Sequence, residues 1–254
     1  VGLMSDRTII ERSQLPVELP RGTMTKTKKQ LPSLLELSYA DLKEKLSDWG
    51  EPSYRADQIW QWLYQHLATD FAEMTNLSKR LREKLAVRYC LWPLTPVDEQ
   101  VSRDKLTRKV LFALPDGNTI ETVLMHYHRR HTVCVSTQVG CPIGCAFCAT
   151  GRSGFARNLT AAEIIAQVLF FARELRQQGR RVTNIVLMGM GEPLLNYEAT
   201  WQAITRWTDE RGFNLGARHI TLSTVGHVPG IRRLSREPLQ IGLAISLHAP
   251  TDEL

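Results

Sequence analysis

Three cysteines stand in one run of ten residues, Gly140-Cys141-Pro142-Ile143-Gly144-Cys145-Ala146-Phe147-Cys148-Ala149. The spacing is C-x3-C-x2-C, with an aromatic residue directly before the third cysteine. Three thiolates can hold three irons of a [4Fe-4S] cluster and leave the fourth open to a substrate; clusters that only carry electrons are usually held by four cysteines. Zinc fits less well, because it needs a fourth ligand and C-x3-C-x2-C is not a usual zinc-finger spacing. Disulfides are disfavoured: the chain has five cysteines, shows no signal peptide, and crowds three of them too closely to pair.

The elements that must position this loop can be read from periodicity. Residues 131–254 alternate strands and helices. Thr132–Val139 reads as a strand leading into the cysteines. Thr160 with Glu163 forms a capping box on a helix to about Gln177, with Ile164, Val168, Phe171 and Leu175 inward and Gly179 as its stop. Val182–Met188 is an apolar strand ending at Gly189-Met190-Gly191-Glu192-Pro193. A helix over about Tyr197–Glu210, strands at His219–Thr224 and Gln240–Leu247, and a short helix after Pro229 complete the part. Four βα-type units in order predict a parallel sheet or partial barrel.

Upstream the chain changes character. Residues 1–33 read as a disordered basic tail, with the run Lys26-Thr27-Lys28-Lys29. Residues 34–92 read as a small helical domain. Its first helix is capped by Ser38 and Asp41 and ends at Gly50, a second runs from Tyr54 to about Leu67, and a third starts near Asn76 or Ser78. The third carries Lys79, Arg80, Arg82, Lys84 and Arg88 on one face, either a solvated face or a phosphate contact. Within residues 93–130, Leu106–Leu114, the turn Pro115-Asp116-Gly117-Asn118 and Thr119–Tyr127 predict a β-hairpin linker.

In parallel α/β folds, sites form at the C-terminal ends of the strands. The cysteine loop, Gly191-Glu192, Ser223-Thr224-Val225-Gly226 and Ser246-Leu247-His248 all fall there. Glu192 could accept from an ammonium group, and Ser223, Ser246 and His248 could bond a ribose or carboxylate. Single features of this kind are weak; their co-location with the cysteines is the signal.

These stretches resemble a known family. Cys134-Val135-Ser136-Thr137-Gln138-Val139-Gly140-Cys141, Gly154-Phe155-Ala156-Arg157-Asn158-Leu159-Thr160, Met188-Gly189-Met190-Gly191-Glu192-Pro193-Leu194-Leu195-Asn196 and Ala244-Ile245-Ser246-Leu247-His248-Ala249-Pro250 are similar to the RlmN/Cfr family of radical-SAM RNA methyltransferases. Ile59-Trp60-Gln61-Trp62-Leu63-Tyr64 and Met74-Thr75-Asn76-Leu77-Ser78 resemble its RNA-binding helical module. The resemblance implies an α/β fold with a partial (β/α)6 barrel, truncated after the fourth strand. It implies a [4Fe-4S] cluster on Cys141, Cys145 and Cys148, and S-adenosylmethionine held by Gly191, Glu192, Ser223, Ser246, Leu247 and His248. It implies Glu121 as general base and Cys134 as the cysteine that resolves a protein–RNA crosslink. The implied reaction methylates C2 of an adenine in 23S rRNA and in tRNA through a methyl-cysteine intermediate. Family members carry that methyl on a cysteine near the C-terminus, and none of the five here is left for it; the chain therefore reads as a fragment that could not methylate RNA. Pro142 and Glu192-Pro193-Leu194 look more like the C2 branch than the C8-methylating Cfr branch. Further implied are a flavodoxin or ferredoxin-type electron donor, a cytoplasmic location and a monomer.

Composition sets the outer bounds. The 254 residues are 43% apolar and 23% charged, as in soluble proteins, and no apolar run is long enough to span a membrane. Net charge is +6 and pI near 9.2, compatible with a nucleic-acid partner. Residues 1–130 carry 20 basic and 17 acidic groups, and residues 131–254 carry 12 and 9. Every basic residue of the second part is arginine, which suits phosphate and stacked-base contacts. The rival classes are a Cfr-like C8 methyltransferase and a non-catalytic RNA-binding protein with a structural metal. An open sheet edge at Gln240–Leu247 would favour aggregation.

Overall fold

The computed structural model describes residues 31–247, 249 and 251. The expected basic tail therefore lies almost wholly outside the described residues, and so does His248.

The helical part begins with a 3-10 turn at Leu34–Glu36. Helix α1 (Tyr39–Asp48) opens on the Ser38–Asp41 capping box and stops where Gly50 takes φ +73°. Helix α2 (Tyr54–Gln61) runs on into a π-helical turn, Trp62–His66, that ends at Leu67 in the left-handed region. Ser78 caps α3 (Lys79–Arg88). Leu42, Leu46, Ile59, Trp60, Leu81 and Leu85 are buried between these helices, as their 3.6-residue spacing requires.

A seven-stranded mixed sheet follows. Strands β1 (Thr95–Val101), β2 (Thr107–Ala113) and β3 (Thr119–His126) form an antiparallel meander. The expected hairpin is β2–β3, and β1 is an addition to it. β1 escaped periodicity because its one buried residue is Glu99, which pairs with Arg108 at 2.7 Å; Arg108 also bonds Glu174. β4 (His131–Cys134) joins β3 antiparallel, so these strands and the parallel ones make one sheet.

The strand expected over Thr132–Val139 is broken. After β4 the chain turns, and β5 (Gln138–Gly140) belongs to a separate two-stranded sheet with β6 (Phe155–Asn158). Between them lie the cysteine loop and the short helix α4 (Ala149–Arg152). Helix α5 (Ala161–Gln177) has the Thr160–Glu163 capping box, with Ile164, Val168, Phe171 and Leu175 fully buried. Next come β7 (Asn184–Leu187), α6 (Tyr197–Thr208), β8 (Ile220–Thr224), α7 (Val228–Leu234) and β9 (Gly242–Ile245). β4, β7, β8 and β9 are parallel neighbours in that order.

One hydrophobic core runs from Leu34 to Leu222 and joins the helical part to the sheet. The joint also has polar ties: Glu36 accepts from the Ala162 N–H at 3.1 Å at the start of α5, and Arg211 lies 4.0 Å from the Tyr39 ring centroid.

Candidate active site

The cysteine loop is pinched at its base. Gly140 has φ +75°, and a Cβ there would lie 1.9 Å from the Gly154 carbonyl oxygen. That same oxygen accepts from the Cys141 N–H at 2.9 Å. Only glycine permits both the backbone angle and this approach. Within the loop, Cys148 N–H donates to the Cys145 carbonyl and Arg152 N–H to the Cys148 carbonyl, each at 3.0 Å. All three thiols are free and partly exposed. Burial pushes the Cys141 thiol up, with Cys145, Cys148 and Glu192 adding to the effect, so the four groups lie within electrostatic reach. Among the described residues no three His, Cys, Asp or Glu side chains are gathered as ligands of one metal ion. The donor set, three thiols on one open loop, fits an iron–sulfur cluster in chemistry, and binding would displace the thiol protons.

Beside the loop, Gly189-Met190-Gly191-Glu192 follows β7. Gly191 has φ +103°, and a Cβ would lie 2.6 Å from that of Gln138. Glu192 is 2% exposed. One carboxylate oxygen accepts from the Leu194 N–H at 3.1 Å and the other from the Val225 N–H at 3.0 Å. Glu192 thus ties the loop after β7 to the loop after β8, and each oxygen retains a further acceptor site.

Side-chain alternation sorts the sheet into two faces. Val110, Phe112, Ile120, Leu124, Val133, Ile185, Leu187, Ile220 and Leu222 are buried in the core with α5. Phe112 meets Phe170 of α5 edge-on at 5.0 Å. The opposite face carries the half-buried residues. Cys134 is in register with Val123 on β3 and Val186 on β7, and Val186 with Thr221. Two residues along on their strands, Glu121 and Ser223 share this face, and so does Ser246 beyond Ala244. Glu121, Cys134, Ser223 and Ser246 therefore converge on one side of the sheet. Ser223 Oγ and Ser246 Oγ are 3.3 Å apart. Leu247 is 77% exposed.

Lys109 pairs with Glu121 at 2.8 Å across the β2–β3 ladder. Burial pushes the Cys134 thiol up to about 11, against a small opposing contribution from a backbone hydrogen bond at Met188.

A buried polar network was missed altogether. Ser136 Oγ donates to the Glu121 carbonyl at 2.6 Å and accepts from the Met190 N–H at 2.9 Å. Gln167 Oε1 accepts from Thr122 Oγ and from the Ser136 N–H, both at 2.8 Å, while its Nε2 donates to the Ser136 carbonyl at 2.9 Å. Gln138 Oε1 accepts from the Glu192 N–H at 2.8 Å. The only sequence signal was polar residues at positions where an apolar strand and helix face were expected. Arg157 makes two 2.8 Å bonds to Glu163 and reaches Asp116 in the hairpin turn. That pins β6, and with it the return of the cysteine loop, to α5 and the β2–β3 turn.

The basic face of α3 is largely engaged within the molecule. Lys79 lies 3.8 Å from Glu83, Arg82 donates to the Ala72 carbonyl at 2.8 Å, and Lys84 and Arg88 lie 4.5 and 5.3 Å from the Trp49 ring centroid.

Both parts of the chain are similar to known proteins. Residues 32–91 match the family described as ribosomal RNA large subunit methyltransferase N-terminal domain, and residues 135–254 match the radical SAM superfamily. Proteins named probable dual-specificity RNA methyltransferase RlmN are similar. The one from Roseiflexus castenholzii is 47% identical over 88% of this chain and 65% of its own length. That from Geobacillus kaustophilus is 49% identical over 92% and 64%. The crystal structure of a radical SAM methyltransferase from Sphaerobacter thermophilus superposes with a TM-score of 0.85 at 55% identity, covering 87% of this chain and 65% of that one. The chain thus spans just under two thirds of the length of these relatives.

Proposed function

The chain belongs to the RlmN family of radical SAM proteins, and from that premise we propose that it serves the S-adenosylmethionine-dependent methylation of C2 of an adenine in 23S rRNA and in tRNA. The observation that carries this reading is the sheet register that turns Glu121, Cys134, Ser223 and Ser246 to one face beside the cysteine loop. The four parallel strands are read as part of a (β/α)6 barrel. The helical part, residues 34–92, is read as holding the RNA, and residues 93–130 as joining it to the radical-SAM part from residue 131.

Cys141, Cys145 and Cys148 would hold a [4Fe-4S] cluster, which when bound supplies the one-electron reduction of S-adenosylmethionine. The remaining work falls to the protein. The backbone at Gly191, the spare acceptor sites of Glu192 and the paired hydroxyls of Ser223 and Ser246 bind and orient the methionine and ribose groups, with Leu247 at the same edge; family resemblance assigns His248 the same role. Glu121 accepts the C2 proton of the adenine, and Lys109 holds its carboxylate in place. The Cys134 thiolate would attack the sulfur of the methyl-carrying cysteine, which is not among the five cysteines of this sequence; the new S–S bond forms as the C–S bond to the RNA breaks, and the methylated adenine leaves after taking up a proton. A reducing flavodoxin or ferredoxin-type donor, action as a monomer and a cytoplasmic location complete the reading. No helix among the described residues is long and apolar enough to cross a membrane.

The test is anaerobic reconstitution with iron and sulfide, followed by iron counting and EPR. About four irons per chain, with a reduced signal that changes on adding S-adenosylmethionine, is the expected result. It should be lost in Cys145→Ala. One bound zinc and no iron would sink the reading.

A further inference from the structure

A second cationic feature lies at the other end of the sheet from the cysteine loop. A cleft of about 770 Å³ opens between the π-helical turn of the helical part and the N-terminal ends of β7 and β8. Arg129, Arg130, Arg176, Arg180, Arg181 and His219 line it, and no Asp or Glu does. All six are exposed.

Two adjacent loops supply four of the arginines. The β3–β4 turn brings Arg129 and Arg130, and the α5–β7 connection brings Arg180 and Arg181. The loops are tied where the His131 N–H donates to Thr183 Oγ at 2.8 Å and the Thr183 N–H to the His131 carbonyl at 3.0 Å. Arg130 lies over the Tyr127 ring at 5.2 Å, and Arg176 donates to the Gln65 carbonyl. Among the described residues none of the five arginines forms a salt bridge. The neighbouring imidazoles respond to this field. Burial lowers both His126 and His131, and the Arg180 charge lowers them further.

Guanidinium groups are suited to phosphate, which they meet with paired N–H donors and full charge. Five of them held together without counter-charges repel one another unless an anion is present. We propose that this cleft is a second RNA-binding surface that holds backbone phosphates of the RNA, remote from the reacting base. The proposal rests on the reading of the chain as acting on RNA. It places a sequence-independent part of the RNA affinity on residues 129–130 and 176–181, apart from any contribution of the outer face of α3.

Binding, not methylation, is the readout. Affinity for a fluorescein-labelled RNA stem-loop is measured by anisotropy across a salt series, with the intact chain and with the combined Arg129→Gln, Arg180→Gln, Arg181→Gln variant. Loss of three phosphate contacts should weaken binding about tenfold or more and flatten the slope of log affinity against log salt by about 2. Thermal melting checks that the variant is folded. If it is not, ultraviolet crosslinking of RNA to the unsubstituted chain decides the matter. Crosslinks within residues 127–130 or 176–183 support the cleft, and crosslinks found only elsewhere overturn it. Equal RNA binding by the variant overturns the cleft while leaving the RNA reading intact, even if inorganic tripolyphosphate binds there. No RNA binding by the unsubstituted chain overturns both.

Discussion

Single residues carry two sharp consequences. The Cys134 thiol, pushed up to about 11 by burial, is protonated at neutral pH, with only about a thousandth ionised at pH 8. Alkylation at Cys134, followed by mass spectrometry, should be slow at pH 8 and rise with pH toward a midpoint near 11. Rapid labelling at neutral pH would contradict its buried setting. The second consequence concerns Gly140. A methyl group there meets the Gly154 carbonyl and forces a left-handed backbone on alanine. Gly140→Ala should cost about 2 kcal/mol or more and lower iron uptake in reconstitution. Iron counting and a denaturation curve check both. Gly140 was legible as a glycine beside cysteines, but its contact was not, because Gly154 is distant in sequence. Glu121 and Cys134 were legible only through resemblance: taken alone they read as a solvent-facing and a buried strand residue. Their common face depends on register, which no local pattern states.

Elements were most legible where their ends are chemically marked. Ser38–Asp41 and Thr160–Glu163 cap helices in the structure as the sequence pattern implies. β1 was hidden because a buried ion pair replaced the apolar residue that would have betrayed it. The break after β4 was hidden because Ser136 and Gln138 make hydrogen bonds to remote residues. The pin formed by Arg157, Glu163 and Asp116 belongs to this scale. Glu163→Ala removes a bidentate partner and half of a capping box, and should destabilise the fold by about 2–3 kcal/mol in urea denaturation. The pin also has a pH signature. Burial would raise the Asp116 carboxyl, but Arg157 and the Asn118 donors outweigh it and hold it at about 2. Its stabilising contribution is therefore present above the ordinary carboxylate value and is lost as pH falls through about 2. Asp116→Asn should remove that part of the acid limb, with an effect under about 1 kcal/mol because the pair is partly exposed. Melting temperatures of both chains across acid pH test it.

At the scale of the whole sheet, the two strands that are outermost among the described residues differ. β1 carries Pro96 and Asp98 and is bulged between Pro96 and Asp98, devices that discourage further pairing. β9 has neither, and its Leu243 and Ile245 are 42% and 58% exposed on the face that is core elsewhere in the sheet. Ile245→Lys should lower light scattering of concentrated solutions without lowering the melting temperature. Unchanged scattering would show that the exposed face of β9 does not drive aggregation.

The Ser136 hydroxyl touches two segments at once, the carbonyl of Glu121 on β3 and the N–H of Met190 in the glycine loop. Through that one group the two segments are thermodynamically linked. Whatever free energy a ligand gains by fixing the Met190 loop more firmly when β3 is ordered must reappear, equal in size, as tighter ordering of β3 when the ligand is present. Any coupling that passes through Ser136 between the strand that carries Glu121 and the loop that carries Gly191 and Glu192 is therefore reciprocal.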